Sequence, residues 1–171
     1  MKALIMSDSH GWEKEVQLLV DRHKQEVDAI FHCGDSELTS DSGCLEAVTT
    51  VRGNCDFGDD FPEEVVEEVR DTRFLIAHGH LLNIKMTPTN LIERGNEEEA
   101  DILCHGHSHI PVAMQENNKI IINPGSIRLP RQYPIGTYVI VETSEDEVDV
   151  TFLSMAGNKI EDLSKNFKKT S

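Results

Sequence analysis

The chain contains three histidines within five positions, in the stretch CHGHSH at residues 104 to 109. At that density, His105, His107 and His109 could bind a metal ion, line one face of a strand, or reflect composition alone. The stretch does not distinguish these possibilities. The interpretation therefore depends on which other residues of similar chemistry accompany it along the chain.

Apolar runs elsewhere in the chain also end in residues that can bind metals. KALIM precedes SDSH, AIFHC precedes GD, VTTV precedes RGNCD, RFLIA precedes HGH, and DILC precedes the histidine stretch. Short apolar runs that alternate with helical periodicity predict parallel strands with crossover helices. Because ligands bind outside the carboxyl ends of such strands, we expect seven side chains to converge: Asp8, His10, Asp35, Asn54, His78, His107 and His109.

The chemistry of this set indicates a transition-metal site. Carboxylate, amide and imidazole ligands together favour Mn, Fe, Zn, Ni or Co, whereas an oxygen-only set would favour Mg or Ca. Seven ligands exceed what one ion takes from protein while keeping open positions, which indicates two ions that share a carboxylate. Two metals about 3.5 to 4 Å apart stabilise the attacking and leaving oxygens of an in-line displacement at phosphorus. The set therefore favours phosphoester hydrolysis.

Five ordered blocks carry a family resemblance: DSH (8–10), GD (34–35), GNCD (53–56), HGH (78–80) and GHSH (106–109). This order resembles the calcineurin-like metallophosphoesterases and, more narrowly, the small YfcE-like bacterial and archaeal phosphodiesterases. The match spans residues 1 to about 130. The resemblance implies an α/β fold, a four-layer αββα sandwich with two mixed β-sheets.

The resemblance also implies a role for each ligand. Asp8, His10 and His109 would hold one metal, Asn54, His78 and His107 the other, and Asp35 would bridge both. The expected cofactors are two divalent ions, with Mn preferred over Ni, Fe, Zn or Co. A hydroxide that bridges them would attack phosphorus in a small phosphoester, most simply a phosphodiester.

One position departs from the resembled pattern. Many family members have a histidine directly after the asparagine, where it protonates the leaving group, but this chain has Cys55. A thiol is a poorer proton source than an imidazolium at neutral pH. This departure favours activated diesters, or protonation by metal-bound water. Asn54 and Cys55 are the expected substrate contacts, although Cys55 could equally be a small buried residue.

Composition limits the other function classes. Sixteen basic and thirty-one acidic residues give a net charge of -15, which opposes binding to a polyanion and disfavours a nuclease. The start MKALIMSDSH lacks the apolar length of a signal peptide or membrane span. Four cysteines without a CxxC pair indicate reduced thiols. The sequence thus predicts a cytoplasmic protein that binds no membrane, and it is compatible with a homo-oligomer.

The length of 171 residues predicts one domain over residues 1–171, with a flexible tail at 165–171. His105 is interpreted as the last structural residue of its strand. Because Cys55 replaces the usual proton donor, one alternative stays open. The chain could be a protein-binding scaffold of the same fold that keeps metals for stability and has weak or no catalytic activity.

Overall fold

Two stacked β-sheets form the centre of the molecule in the computed structural model, which describes residues 1–58 and 60–170. The strands in chain order are β1 (Lys2–Met6), β2 (Ala29–His32), β3 (Thr49–Thr50), β4 (Glu64–Val69), β5 (Thr72–Ala77), β6 (Ile102–Cys104), β7 (Val112–Glu116), β8 (Lys119–Asn123), β9 (Thr137–Thr143), β10 (Glu147–Ser154) and β11 (Lys165–Lys168). The helices are α1 (Glu13–His23) and α2 (Thr89–Glu97), and short 3-10 turns cover Gly43–Leu45 and His80–Leu82.

Both sheets mix parallel and antiparallel strands. The first has the order β11-β10-β9-β1-β2-β3, in which β1, β2 and β3 are parallel and β9 to β11 form antiparallel pairs. The second has the order β4-β5-β6-β8-β7, in which β5, β6 and β8 are parallel. The carboxyl ends of the central parallel strands therefore lie at one end of each sheet.

Strand alternation sends side chains into two different cores. Ala3 and Ile5 of β1 join the core between the two sheets. Leu4 and Met6, one residue out of phase, pack with Val16 of α1 on the outer face. Successive strand residues point to opposite faces, so α1 covers the outer side of the first sheet.

The second sheet repeats this arrangement. Phe74 of β5 faces the central core, whereas Leu75 packs on the outer face with Leu91 of α2 and Leu103 of β6. The layers are therefore helix, sheet, sheet and helix. The predicted αββα sandwich with two mixed sheets is confirmed.

The predicted tail is wrong over residues 165–168, which form the edge strand β11. Val148 of β10 pairs with Phe167, and Val150 pairs with Lys165. Phe167 packs against the central core. The segment KNFK has one aromatic residue among polar residues and therefore shows no hydrophobic periodicity. It forms a strand because its backbone pairs with the edge of β10. Ser171 lies outside the described residues.

No helix in the described part of the chain combines the length and the apolar character needed to span a membrane.

Candidate metal centre

The seven predicted ligands follow the ends of five strands. Asp8 and His10 follow β1, Asp35 follows β2 and Asn54 follows β3, all in the first sheet. His78 follows β5, and His107 and His109 follow β6, in the second sheet. The structure brings these residues together at the end where both sheets present the carboxyl ends of their parallel strands.

A first group combines Asp8, His10 and His109. Asp8 Oδ1 lies 3.2 Å from His109 Nε2 and 3.8 Å from His10 Nε2. The two Nε2 atoms lie 3.3 Å apart. One atom from each residue falls within 4.8 Å of the others, so the three could hold one ion.

A second group surrounds His78. Its Nε2 lies 3.0 Å from Asn54 Oδ1 and 3.2 Å from Asp35 Oδ2. The same nitrogen is 3.9 Å from Asp8 Oδ1. The second group is therefore continuous with the first through Asp8.

His107 lies beside this second group. Its ring centroid is 5.1 Å from that of His78, and its backbone N–H donates to Asp8 Oδ2 at 3.2 Å. Burial and the neighbouring His78 lower the pKa of His107 to about 4. The ring is therefore neutral near pH 7, which is the form that ligates metals.

Hydrogen bonds on the outer side of each ring determine which nitrogen faces the centre. The Nδ1 atoms contact oxygens: Glu37 Oε1 at 2.6 Å from His10, Cys33 O at 2.8 Å from His78, and Leu129 O at 2.8 Å from His109. Because these oxygens accept, Nδ1 carries the proton and Nε2 of the neutral ring has a free lone pair. Metal-binding histidines are commonly oriented in this way.

The donor set therefore fits a cation. Asp8 Oδ2 accepts from Ser7 Oγ at 2.6 Å, but Oδ1 is buried and lacks a hydrogen-bond partner among the described residues. Its near neighbours are the Nε2 atoms of His109, His10 and His78 at 3.2, 3.8 and 3.9 Å, which are acceptors when the rings are neutral. A buried carboxylate oxygen without a donor is costly, and a divalent ion between Oδ1 and the Nε2 atoms would satisfy it.

The carboxylates are held ionised. Burial by itself would raise the pKa of Asp35, but the hydrogen bond and charge of His78 lower it to about 2. Burial would likewise raise the pKa of Asp8, but His109 and His78 lower this pKa below its ordinary value. Burial would lower the pKa of His78, but the nearby Asp35 and Asp8 raise it above its ordinary value. Negative potential thus accumulates where these residues meet.

Asp56 joins the loops that carry two of the ligands. Its carboxylate accepts the backbone N–H of Asp35 at 2.9 Å, of Glu37 at 2.8 Å and of Gly53 at 2.7 Å. Asp35 Oδ1 in turn accepts the N–H of Cys55 at 2.7 Å. Sequence reasoning missed both Asp56 and Glu37. Asp56 closes the GNCD block and could have been noticed, but nothing near Glu37 in the sequence indicates its contact with His10.

The backbone is strained at five of the ligands. The φ angles are 55° at Asp8, 42° at His10, 57° at Asp35, 71° at His107 and 62° at His109. A residue other than glycine in such a conformation costs about 1 to 3 kcal/mol and persists where the surroundings impose it. The strain is concentrated at the candidate centre.

Gly106 permits the close approach of the β6 loop to the first ligand. A Cβ atom at this position would lie 2.1 Å from Ser7 Oγ and 2.5 Å from Asp8 Oδ2. No side chain fits at those distances. Within CHGHSH, Gly106 thus separates His105 from the two histidines that turn towards the centre. β6 ends at Cys104, one residue before the predicted end at His105, whose backbone N–H donates to Ile122 O at 2.9 Å.

Cys55 lies at the edge of the centre. Its Sγ falls within 4.8 Å of ligand atoms of His10 and Asp35, and Asn54 beside it is exposed. Burial and the negative charge of Asp35 raise the pKa of the Cys55 thiol to about 11. The thiol is therefore protonated at neutral pH and is a weak acid.

Other residues noted in the sequence fall around the centre. His105 is buried, and its Nδ1 lies 3.0 Å from Gly106 O, outside the ligand groups found among the described residues. Arg128 donates to the carbonyl oxygen of His10, and its guanidinium lies 5.5 Å from the Trp12 ring centroid. A cation therefore lies next to the first ligand group, at an exposed position where a phosphate could reach it.

Comparison with known proteins gives a consistent result. Residues 1–146 match the model of the calcineurin-like phosphoesterase superfamily domain. The probable metallophosphoesterase YsnB of Bacillus subtilis is 47% identical over 163 residues, which cover 95% of this chain and 96% of YsnB. Phosphodiesterase YfcE of Escherichia coli K12 is 36% identical over 94 residues, 49% of this chain and 46% of YfcE.

A solved structure shows the same architecture. The crystal structure of a conserved uncharacterized protein from Streptococcus pneumoniae TIGR4, described as a predicted phosphoesterase, is 39% identical. It superposes with a TM-score of 0.95 and covers 98% of this chain and 97% of its own. The resemblance stated from the five sequence blocks is confirmed.

Proposed function

The chain belongs to the calcineurin-like phosphoesterase superfamily, and from that premise we propose that it is a phosphodiesterase that uses two divalent metal ions. The observation that carries the proposal is the buried Asp8 Oδ1, which has no hydrogen-bond partner among the described residues and lies 3.2 Å from His109 Nε2. A folded protein tolerates such a cluster when a cation balances it.

Two observations support two ions over one: the two ligand groups, and the position of Asp35 within reach of both His10 and His78. Asp8, His10 and His109 would hold one ion, Asn54, His78 and His107 the other, and Asp35 would be shared. The mixture of oxygen and imidazole ligands suits Mn, and also Fe, Ni, Zn or Co. We propose Mn because carboxylate and amide oxygens make up almost half of the set.

When bound, such a pair supplies a bridging hydroxide as nucleophile and neutralises charge on the phosphoryl oxygens. The protein orients the site through Glu37, Cys33 O and Leu129 O, which hold the imidazoles before substrate arrives. The exposed Asn54 and the guanidinium of Arg128 are placed to contact the phosphate. Preorganised positive and dipolar groups of this kind stabilise a developing phosphorane charge.

The substrate is expected to be a small diester with a good leaving group. Cys55 stands where a proton donor would be useful, but its raised pKa of about 11 makes it a poor acid. A leaving group that departs as a stable anion needs no such donor. The net charge of -15 further disfavours long polyanions.

We also propose one domain and a cytoplasmic location. All four cysteines, Cys33, Cys44, Cys55 and Cys104, are free thiols, as is usual in a reducing compartment.

The experiment is a matrix of metals and substrates on protein stripped with a chelator. Mn²⁺, Ni²⁺, Zn²⁺ and Mg²⁺ are each tested with bis(p-nitrophenyl) phosphate and p-nitrophenyl phosphate, and calorimetry measures bound ions per chain. The expected result is two Mn²⁺ per chain and preferential diester hydrolysis. The variant Asp35→Asn should lose at least ~100-fold in activity and bind fewer ions.

Asp21→Asn is the matched control, because Asp21 is an exposed carboxylate on α1. It should behave as the parent. Full activity in metal-free buffer, or an unaffected Asp35→Asn variant, would refute the proposal. Binding of two ions without turnover of either ester would indicate the scaffold alternative.

A further inference from the structure

A groove lies on the outer face of the second sheet, next to the candidate metal centre. Its volume is about 510 Å³, within the range of sites that bind small organic molecules. Its walls come from the segment before α2, from the end of the β6 loop and from strands β7 and β8. None of the seven proposed ligands lines it.

The floor of the groove is apolar. Met114 of β7 and Ile121 of β8 are directly paired and both face outward. Val112, on the same face of β7, is 38% exposed. Helix α2 packs over Leu75 and Leu103 of β5 and β6, so the edge formed by β7 stays accessible. A flat ring would bury its faces here.

The rim of the groove carries positive charge. Lys85 and Arg131 line it and are exposed, and the described lining residues include no carboxylate. The chain as a whole has a net charge of -15, whereas the described lining of this groove is positively charged. Such a rim favours a ligand that carries negative charge.

The groove borders the loop that carries two of the proposed ligands. Ser108, which lines it, lies between His107 and His109 in the chain. The backbone N–H of Arg131 donates to His109 O at 3.0 Å. Ser108 and Arg131 therefore place one end of the groove beside His107 and His109.

We infer that this groove binds one ester group of the substrate, an aromatic group of nucleobase size that carries a second negative charge. Met114 and Ile121 contact the ring, and Lys85 and Arg131 contact the additional anion. The inference rests on the proposed phosphodiesterase function, whose site it extends. It adds the substrate class that the metal ligands by themselves leave open.

The test uses three diesters with the same leaving group. They are methyl p-nitrophenyl phosphate, thymidine 5′-(p-nitrophenyl phosphate) and its 3′-phosphate derivative, each assayed with Mn²⁺-loaded protein. The expected kcat/KM rises about tenfold from methyl to thymidine and about tenfold again with the 3′-phosphate. The double variant Lys85→Gln/Arg131→Gln should abolish only the second increase, and Met114→Gln should reduce the first.

The control for charge is Arg70→Gln/Lys159→Gln, which removes two exposed cations elsewhere on the surface. It should leave all three rates unchanged. Equal kcat/KM for the three diesters, or a loss in the double variant that is the same for all of them, would overturn the inference while the phosphodiesterase proposal stands.

Direct binding separates the two proposals if no diester is hydrolysed. Thymidine 3′,5′-bisphosphate is titrated by calorimetry into the metal-loaded protein. Binding about tenfold weaker in Lys85→Gln/Arg131→Gln than in the control supports the groove without relying on turnover. Equal affinity in both variants, or no binding, overturns it.

Discussion

At the scale of the residue, the candidate centre depends on the oxygen atoms that accept hydrogen bonds from the outer nitrogens of the ligand histidines. The rings of His10, His78 and His109 each present Nε2 because an oxygen accepts from Nδ1. Two of those oxygens belong to the backbone and cannot be removed by substitution. Glu37 is the exception, since its side chain makes the contact with His10. It is therefore the position where orientation can be tested.

Glu37→Ala should weaken Mn²⁺ binding by about 10- to 100-fold, because removal of a ligand's outer hydrogen-bond partner typically costs this much affinity. Glu37→Gln keeps an acceptor oxygen and should recover most of the affinity. Calorimetric titration of the stripped protein measures both. Unchanged affinity in the alanine variant would show that His10 is positioned without Glu37.

His32 allows a second prediction at this scale. Gly34 N–H donates to its Nδ1 at 3.1 Å, and its Nε2 lies 2.8 Å from Ser9 Oγ, so the buried ring is neutral. Burial lowers its pKa from 6.5 to about 4. The unfolded chain takes up the proton below 6.5 and the folded chain does so only near 4, so stability falls as pH falls through this window.

Between pH 7 and pH 5, protonation of His32 should therefore lower the free energy of unfolding by about 2 kcal/mol. Urea unfolding in the presence of a chelator measures this change. The comparison is with His32→Gln, whose stability should decrease less over the same range. Parallel pH dependence of the two proteins would contradict the prediction.

At the scale of the element, strands with strong apolar runs are predictable and weak edge strands are not. KALIM matches β1 residue for residue, and RFLIA covers all of β5 except Thr72, because buried strands need continuous apolar side chains. β11 carries only Phe167 in contact with the core. Its pairing is determined by the unpaired backbone edge of β10, which local sequence does not encode.

Truncation after Ser164 tests β11. Loss of four paired residues and of Phe167 should lower the free energy of unfolding by about 2 kcal/mol, as expected for a partly buried aromatic side chain. A chain ending at Lys169 keeps the strand and should match the full-length protein. If both truncations unfold at the same urea midpoint, residues 165–168 behave as the tail that the sequence predicts.

At the scale of the whole molecule, the candidate centre joins the two sheets. Four of the proposed ligands follow strands of the first sheet and three follow strands of the second. Bound metal would therefore connect two layers that otherwise meet through apolar packing. Any ligand that binds only the folded state stabilises it by mass action.

Mn²⁺ at about 100 times its Kd should stabilise the stripped protein by about 2.7 kcal/mol, and raise Tm by roughly 5 to 10 °C. Differential scanning calorimetry with and without Mn²⁺ measures the shift. Asp35→Asn should show a smaller shift and Asp21→Asn the full one. If Mn²⁺ leaves the Tm of the parent protein unchanged, the proposal that metal ions bind between the two sheets is contradicted.

The amino-acid sequence determined the kind of fold and the types and order of the proposed ligands. This follows because apolar runs indicate strands locally, and polar residues at strand ends must share one end of a parallel sheet. Only the tertiary structure decided which of these atoms meet, that Glu37 and Asp56 position them, and that Lys85, Met114 and Arg131 form one groove. Those contacts join segments far apart in the chain, and periodicity carries no information about distance between them.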